Sequence, residues 1–373
     1  MKHNKLEIGI ITFHASHNYG SMLQAYALQS TLQGLGADVT IINYRSQIQQ
    51  DIYALYPKKV SFLAKVKSIV RRLLFPSMKT KNRRFETFLE RFNLTPIYEN
   101  LDQLQSDCPI FDVYISGSDQ IWNPNAPDFS EVYFLPFVAD NYPKIAYAAS
   151  MGPFGRISEE YKEMLIQNLN RYQVISVREE KSQEAVFQLI NKRVPIMPDP
   201  VLLLTSEEWD RLIDDVPYSP KKDYILLYTL YDDDNLDKLA KKISRYFKMP
   251  IIITKYGNGS RFFSYMGYKK ETSCGPCEFL QLLKHARFVL SASFHGTVFS
   301  IIYQKPFFAY HGAADARIAT LLCKTNLQDR SVTLADIDQK LESAFLIDFD
   351  HANRTILEER KNAIQFLKGS IGL

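Results

Sequence analysis

Cysteine is scarce in this chain and long apolar runs are missing, and both absences narrow what it can be. Four cysteines in 373 residues (Cys108, Cys274, Cys277 and Cys323) are too few for a disulfide framework, so reduced thiols are expected. The N-terminal apolar run Ile8-Gly9-Ile10-Ile11 is short, and no stretch elsewhere approaches the roughly 18 apolar residues of a membrane span. Neither a signal peptide nor a transmembrane helix is expected, which points to a cytoplasmic protein. Charge of one sign is also lacking. The net charge is only +4, and no run interleaves basic residues with aromatics, so nucleic acid is not expected as a partner. No G-x-G-x-x-G or Walker lysine follows the first apolar run, which leaves a dinucleotide or P-loop reading without support. No cluster has metal-ligand spacing, so no metal and no cofactor is expected.

What is present is an alternation of strand and helix signals. With 373 residues, 46% of them hydrophobic, two ordinary cores can be buried. Residues 6–13 read as a buried strand, 21–35 as a helix ending near Gly36, and 37–44 as the next strand. The turn His14-Ala15-Ser16-His17-Asn18-Tyr19-Gly20-Ser21 suits either a ligand-lining loop or a plain connection capped by Asn or Ser. Further strands are expected at residues 111–116, 145–149, 174–177 and 195–197. An exposed break over Thr205–Asp223 reads as a linker, after which the rhythm restarts. It runs through a strand at 224–230, a helix at 235–246, a strand at 251–254, a Gly-rich loop at Gly257-Asn258-Gly259, a helix at 277–286, a strand at 287–292 and another at 307–310. The expectation is therefore an α/β protein with two Rossmann-like domains facing a cleft, residues 1–210 and 221–345, with a C-terminal helix in 346–373 packing across both.

Between residues 52 and 85 there are ten Lys or Arg and no acid. Phe62, Leu63, Val66, Ile69, Val70, Leu73 and Leu74 recur there at helical spacing, with Lys58, Lys65, Arg71 and Arg72 mostly off that stripe. Two readings stay open for this basic insertion at about 58–92: peripheral contact with an anionic membrane surface near 58–75, or a solvated basic face over an apolar stripe packed on the domain. Cys274-Gly275-Pro276-Cys277 has the spacing of a redox dithiol, but Ser273 rather than an aromatic precedes it and no second pair completes a zinc site. Gly-Pro more simply opens a helix.

The junction Ser291-Ala292-Ser293-Phe294-His295-Gly296-Thr297 carries the most chemistry, because an apolar strand signal stops there and a helix signal begins. A turn after a buried parallel strand lies at the carboxyl edge of the sheet, where open α/β folds bind ligands, and helix-start amides attract anions. His295 adds an acid/base candidate. In Gly117-Ser118-Asp119-Gln120-Ile121-Trp122-Asn123, Trp122 is either a platform for a sugar ring or a packing anchor.

Taken together, Asn18-Tyr19-Gly20-Ser21, Gly117-Ser118-Asp119-Gln120-Ile121-Trp122-Asn123, Ser176-Val177-Arg178-Glu179, Asp199-Pro200-Val201 and Phe294-His295-Gly296-Thr297-Val298-Phe299-Ser300 with Lys305-Pro306-Phe307 resemble the polysaccharide pyruvyl transferases. The resemblance implies a GT-B-like fold and transfer of pyruvate from phosphoenolpyruvate to a sugar of a cell-surface or exopolysaccharide precursor, as a ketal. It implies His295 as acid or phosphate-side donor and Asp119 as base. Arg178, Gly296, Thr297, Arg317, Lys305 and Ser293 would face the donor, and Asn18, Gly20, Ser21, Gln120 and Trp122 the acceptor, which can be lipid-linked. Well-known members carry arginine where this chain has Ser293, and many relatives with serine there have aspartate at the position of Ala292. The donor's charge is then met by Arg317 or Lys305, or the donor differs, as in a nucleotide-sugar glycosyltransferase, or the chain is a catalytically silent partner. The oligomeric state is not set by these residues.

Overall fold

The computed structural model describes residues 5–53, 76–152, 158–216, 222–255 and 267–373. The basic stretch at 58–75 and the Gly257-Asn258-Gly259 loop lie outside the described residues. The chain divides into two compact units: Met1–Arg71, Glu86–Leu204 and Glu359–Leu373 form the first, Arg72–Phe85 and Thr205–Glu358 the second.

The first unit is a parallel sheet with order β2-β1-β3-β4-β5, made of β1 (Glu7–Ile11), β2 (Asp38–Ile41), β3 (Val113–Ser116), β4 (Lys144–Ala149) and β5 (Val174–Val177). Its strands are mostly apolar and largely buried, as expected of a parallel sheet covered on both faces. Helix α1 (Tyr19–Gly34) is buried on most of its surface. The others are α2 (Gln47–Tyr53), α3 (Pro76–Leu89), α4 (Leu101–Asp107), α5 (Glu159–Leu169) and α6 (Glu180–Ile190), of which α3 begins within the second unit. The strand expected at 195–197 is only a single bridge from Ile196 to Val177.

In the second unit the order is β11-β10-β9-β6-β7-β8. The strands are β6 (Ile225–Tyr228), β7 (Ile251–Ile253), β8 (Lys269–Lys270), β9 (Phe288–Ser291), β10 (Phe307–Tyr310) and β11 (Ser331–Val332), all parallel. The very short β8 and β11 carry too few residues to register as a sequence pattern. Counted from β6, this is the order of a dinucleotide-binding Rossmann sheet, and it reverses direction between β6 and β9. The first sheet reverses between β1 and β3.

The break expected over Thr205–Asp223 begins instead with helix α7 (Ser206–Ile213), closed by a Thr205/Glu208 capping box. Trp209 is fully buried and its ring meets Phe299 edge-on at 5.0 Å, so this segment belongs to the second core. Helix α8 (Asp234–Phe247) shows why such elements form: Asp233 accepts from the Asn235 and Leu236 amides at 2.7 and 2.9 Å, and Leu236, Leu239, Ala240 and Ile243 make one buried stripe. Helices α9 (Pro276–His285), α10 (Phe294–Ile302), α11 (Ala316–Lys324) and α12 (Asp350–Ile371) complete the chain, α12 contributing residues to Glu358 to the second unit and from Glu359 to the first. Pro276 opens α9, and burial pushes the Cys274 thiol up to about 12, the opposite of a reactive dithiol.

Candidate functional site

In the second unit the turn from β9 into α10 lies at the carboxyl edge beside the strand-order reversal, the position where open α/β sheets bind ligands. Ser291 shapes it: its Oγ donates to the Ser293 carbonyl at 2.9 Å and accepts from the Ser293 amide at 3.1 Å. Helix α10 starts one residue later, which places His295 and Gly296 within its first turn. A Cβ on residue 296 would run into Ser291 Oγ and lie 2.6 Å from the Tyr228 ring, so only glycine lets the helix approach β6 and β9 this closely. The His295 residue is 6% exposed, and its ring stands edge-on to Phe294 at 5.3 Å. On the same ring, Phe294 carries the Arg317 guanidinium 5.7 Å from its centroid. Arg317 is fixed by Asp315, which accepts its Nε at 3.0 Å and its Nη2 at 2.6 Å and also caps α11 through the Arg317 amide. Burial alone would raise the Asp315 carboxyl, but Arg317 holds it below its ordinary value.

The carboxyl edge of the first sheet is built of polar side chains bonded to one another. Gln24, one turn into α1 from Ser21, donates to Thr12 Oγ1 at 2.8 Å and the Ser21 carbonyl at 2.9 Å, and accepts from the Ser118 amide at 3.2 Å. Ser118 Oγ in turn donates to the Ala148 carbonyl at 2.7 Å. Asp119, held in the left-handed region at φ 74°, accepts Ser21 Oγ at 2.6 Å, the Gln120 amide at 2.9 Å and Arg178 Nη2 at 3.4 Å. Arg178 also donates to Asp199 at 2.6 Å and has Glu179 at 3.7 Å. Burial would lower the guanidinium, yet Asp199, Asp119 and Glu179 together pull it above its ordinary value. Ser150 and Ser182 both donate to Glu179, which ties the turns after β4 and β5 together.

Residues 18–310 match the family model for polysaccharide pyruvyl transferase. The chain belongs to that family. Membership makes it a transferase acting on polysaccharides. Among curated proteins none matches the sequence. Solved structures resemble it in fold only. A Listeria monocytogenes protein described as a UDP-N-acetylglucosamine 2-epimerase aligns at a TM-score of 0.57 with 8% identity, covering 97% of this chain and 91% of that one. The UDP-GlcNAc 2-epimerase of Methanocaldococcus jannaschii aligns at 0.50 with 14% identity and 93% of each chain. Arabidopsis thaliana UGT89C1, complexed with UDP-L-rhamnose, aligns at 0.51 with 12% identity, 99% of this chain and 100% of that one. These likenesses agree with two Rossmann-like units.

In this family member several residues expected at the site are placed otherwise. Lys305 precedes β10 and so stands at the amino edge of the sheet, a helix length of about 13 Å from the His295 turn. Burial, with Arg287 and Lys284 as neighbours, lowers its amine, so it is no partner for a ligand at His295. Arg178 is a buried ion-pair hub with three carboxylates around one guanidinium, a surrounding that repels rather than binds a dianion. Trp122 is fully buried, stacked on Phe134 at 5.2 Å and edge-on to Tyr172 at 5.7 Å, so it presents no face to a sugar and is the packing anchor of its loop. The Thr297 amide already donates to the Ser293 carbonyl at 3.1 Å and so is taken up within the helix. Asn18 Oδ1 caps α1 by accepting the Gly20 and Ser21 amides at 2.9 and 3.4 Å, and Gln120 Oε1 accepts from Asn123 Nδ2 at 2.8 Å. Ser293 is the first residue before α10 but makes no side-chain cap bond to it. His295, Gly296, Ser293 and Arg317 share one sheet edge; Asn18, Gly20, Ser21, Asp119, Gln120 and Arg178 share the other.

Gln24 and Asp199 lie in segments that carry the family resemblance, but sequence reasoning assigns neither a role, and they hold the first edge together. The spacing of Ser21 and Gln24 on one helix face was the available signal. Nothing in the sequence indicates that Asp199 meets Arg178 across twenty-one positions. His14 lies in the loop after β1, as its turn-like surroundings predict, and is wholly buried. Its ring nitrogens lie 3.1 Å from the Thr12 carbonyl and 2.9 Å from Asn43 Oδ1, and burial lowers its pKa to about 4. Among the described residues no group of three or more His, Cys, Asp or Glu is placed to hold a metal ion, and no helix is long and apolar enough to cross a membrane.

Proposed function

We propose that this protein transfers pyruvate from phosphoenolpyruvate onto two hydroxyls of one sugar residue in a cell-surface polysaccharide precursor, as a cyclic ketal. The carrying observation is the β9–α10 turn: an imidazole and a glycine amide in the first turn of a helix at the strand-order reversal, with Arg317 held beside the same phenylalanine. The helix start and Arg317 offset the donor's negative charge without a metal ion being needed for that task. His295, in its protonated form, delivers a proton to the donor methylene carbon. The first sugar hydroxyl adds to the adjoining carbon, phosphate departs with the electrons of the broken C–O bond, and the second hydroxyl closes the ring. Of the two hydroxyl protons, one replaces the proton now in the new methyl group and the other leaves with phosphate. Such a donor, a metabolite of the cell interior, puts the reaction in the cytoplasm.

The test is phosphate release from phosphoenolpyruvate with p-nitrophenyl glycosides as acceptors, alongside thermal-shift measurements. Phosphoenolpyruvate is expected to raise Tm, and His295→Ala to lower turnover by about 100-fold or more with the fold retained. Stabilisation by UDP-sugars in place of phosphoenolpyruvate would show a glycosyltransferase, and stabilisation by neither a silent family member.

A further inference from the structure

In the second unit the turn from β10 into α11 ends in Asp315-Ala316-Arg317, and its two charges are locked together. Asp315 accepts Arg317 Nε at 3.0 Å and Nη2 at 2.6 Å, and it also accepts the Arg317 amide at 3.0 Å as the cap of α11. The guanidinium stands over the Phe294 ring, 5.7 Å from its centroid. Carboxylate, ring and helix start together hold the fork in one orientation. Both side chains still reach solvent, Arg317 at 21% and Asp315 at 31% exposure, so a small molecule can approach the pair. The strand order β10-β9-β6 places the His295 turn between the turns after β10 and β6. These flanks are tied to each other across β9, because Tyr310 OH at the end of β10 donates to Asp233 Oδ1 at 3.2 Å. Lys255, after β7, is bonded to Asp232 at 2.8 Å, so its charge is already committed.

A guanidinium donates from three nitrogens in one plane, and Asp315 holds the Nε side, so the edge turned away from it is the one between Nη1 and Nη2. That edge presents two parallel N–H bonds, which match the two oxygens of a carboxylate. Phosphate has a similar outline, and charge decides between them. The pair is neutral as a whole, and a dianion seated on Arg317 would also face the Asp315 charge, whereas a carboxylate brings only one negative charge. Distance agrees with this division. The His295 ring and the Arg317 guanidinium lie 5.3 and 5.7 Å from the centre of one phenylalanine ring, and a three-carbon enol phosphate with a hydrogen bond at each end spans roughly 10 Å. One molecule reaches both.

We propose that Asp315 and Arg317 form the carboxylate subsite of the donor: Asp315 aims the Nη1–Nη2 edge, Arg317 takes the carboxylate there in two parallel hydrogen bonds, and the phosphate goes to the His295 turn. Asp315 is a positioning residue that acts through Arg317. The subsite rests on the pyruvyl-transfer reading and deepens it, since it makes the carboxylate the part of the donor that this protein selects.

The experiment uses the full chain and compares phosphoenolpyruvate with vinyl phosphate, which keeps the enol phosphate and lacks the carboxylate. Dissociation constants are read by titration calorimetry and turnover by phosphate release with p-nitrophenyl glycosides. Wild type is expected to prefer phosphoenolpyruvate by about 100-fold or more, because its fork is left unmatched by vinyl phosphate. Arg317→Met is expected to weaken phosphoenolpyruvate about 100-fold and to leave vinyl phosphate within about threefold of wild type. Asparagine caps a helix as well as aspartate does, so Asp315→Asn keeps the start of α11 and removes only the charge that aims the fork. This variant is expected to bind phosphoenolpyruvate about tenfold more weakly and vinyl phosphate as tightly as wild type or more so. A purely structural aspartate would weaken both ligands alike. Wild type without a preference for phosphoenolpyruvate, a preference in Arg317→Met within about threefold of wild type, or equal weakening of both ligands in Asp315→Asn overturns the subsite. Phosphoenolpyruvate bound with the expected preference, but with no phosphate released to any acceptor, overturns the transfer reading and leaves the carboxylate subsite standing. No binding of phosphoenolpyruvate by wild type overturns both.

Discussion

The two carboxyl edges of this protein are held by different forces. In the first unit, Arg178, Asp119, Asp199, Glu179, Gln24, Ser21 and Ser118 bond to one another, so that the turns after four strands are fixed by charge and hydrogen bonds. In the second, the His295 turn is fixed mainly by close packing, glycine against Ser291 and Tyr228, with the Ser291 and Thr297 hydroxyls both donating to the Ser293 carbonyl. Buried charge is unforgiving when one partner is removed, because the remaining charge stays unsolvated, whereas packing fails by degrees.

The largest expected effect comes from breaking the charge hub. Arg178→Met leaves Asp199, Asp119 and Glu179 buried without their cation and is expected to destabilise the first unit by about 3–5 kcal/mol, read from urea denaturation. A loss below about 1 kcal/mol would mean that the carboxylates are neutralised by other means. Next comes His14. Its folded pKa of about 4 lies below the ordinary 6.5, chiefly because burial disfavours the charged ring. The unfolded chain therefore binds the proton more readily. Stability is full above pH 6.5 and falls between there and about pH 4, by up to about 3 kcal/mol. His14→Gln should flatten thermal stability across that window; an equally steep decline in the variant would assign it to other groups. The smallest effect is expected from the packed edge, where Gly296→Ala should cost about 1–3 kcal/mol by overpacking against Ser291 and Tyr228. If its Tm shift matched that of Arg178→Met, the contrast between the edges would disappear.

Strand and helix rhythm was legible because parallel strands buried on both faces read as apolar runs and helices as 3.6-period stripes. Residues 174–177 and 307–310 form strands as expected, and the His295 turn lies where an apolar run gives way to a helical one. Short strands escaped, as did α7, whose Asp- and Pro-rich sequel masked a capped helix with Trp209 inside. The candidate site was legible only where it is local. Ser293, His295 and Gly296 are consecutive or nearly so, but Arg317 joins them through Phe294 from the next βα unit. Trp122 shows the converse: residue type suggested a sugar platform, while burial between Phe134 and Tyr172 makes it part of the core.

The sequence by itself determined the family, the alternation of strands and helices, and which turns carry chemistry, since these follow from motif, period and composition. Only the tertiary structure decided which charges are consumed in holding the fold together. Arg178 was turned inward to three carboxylates and Lys305 sent to the far edge, because pairing and desolvation depend on neighbours that strand order, not sequence distance, brings together.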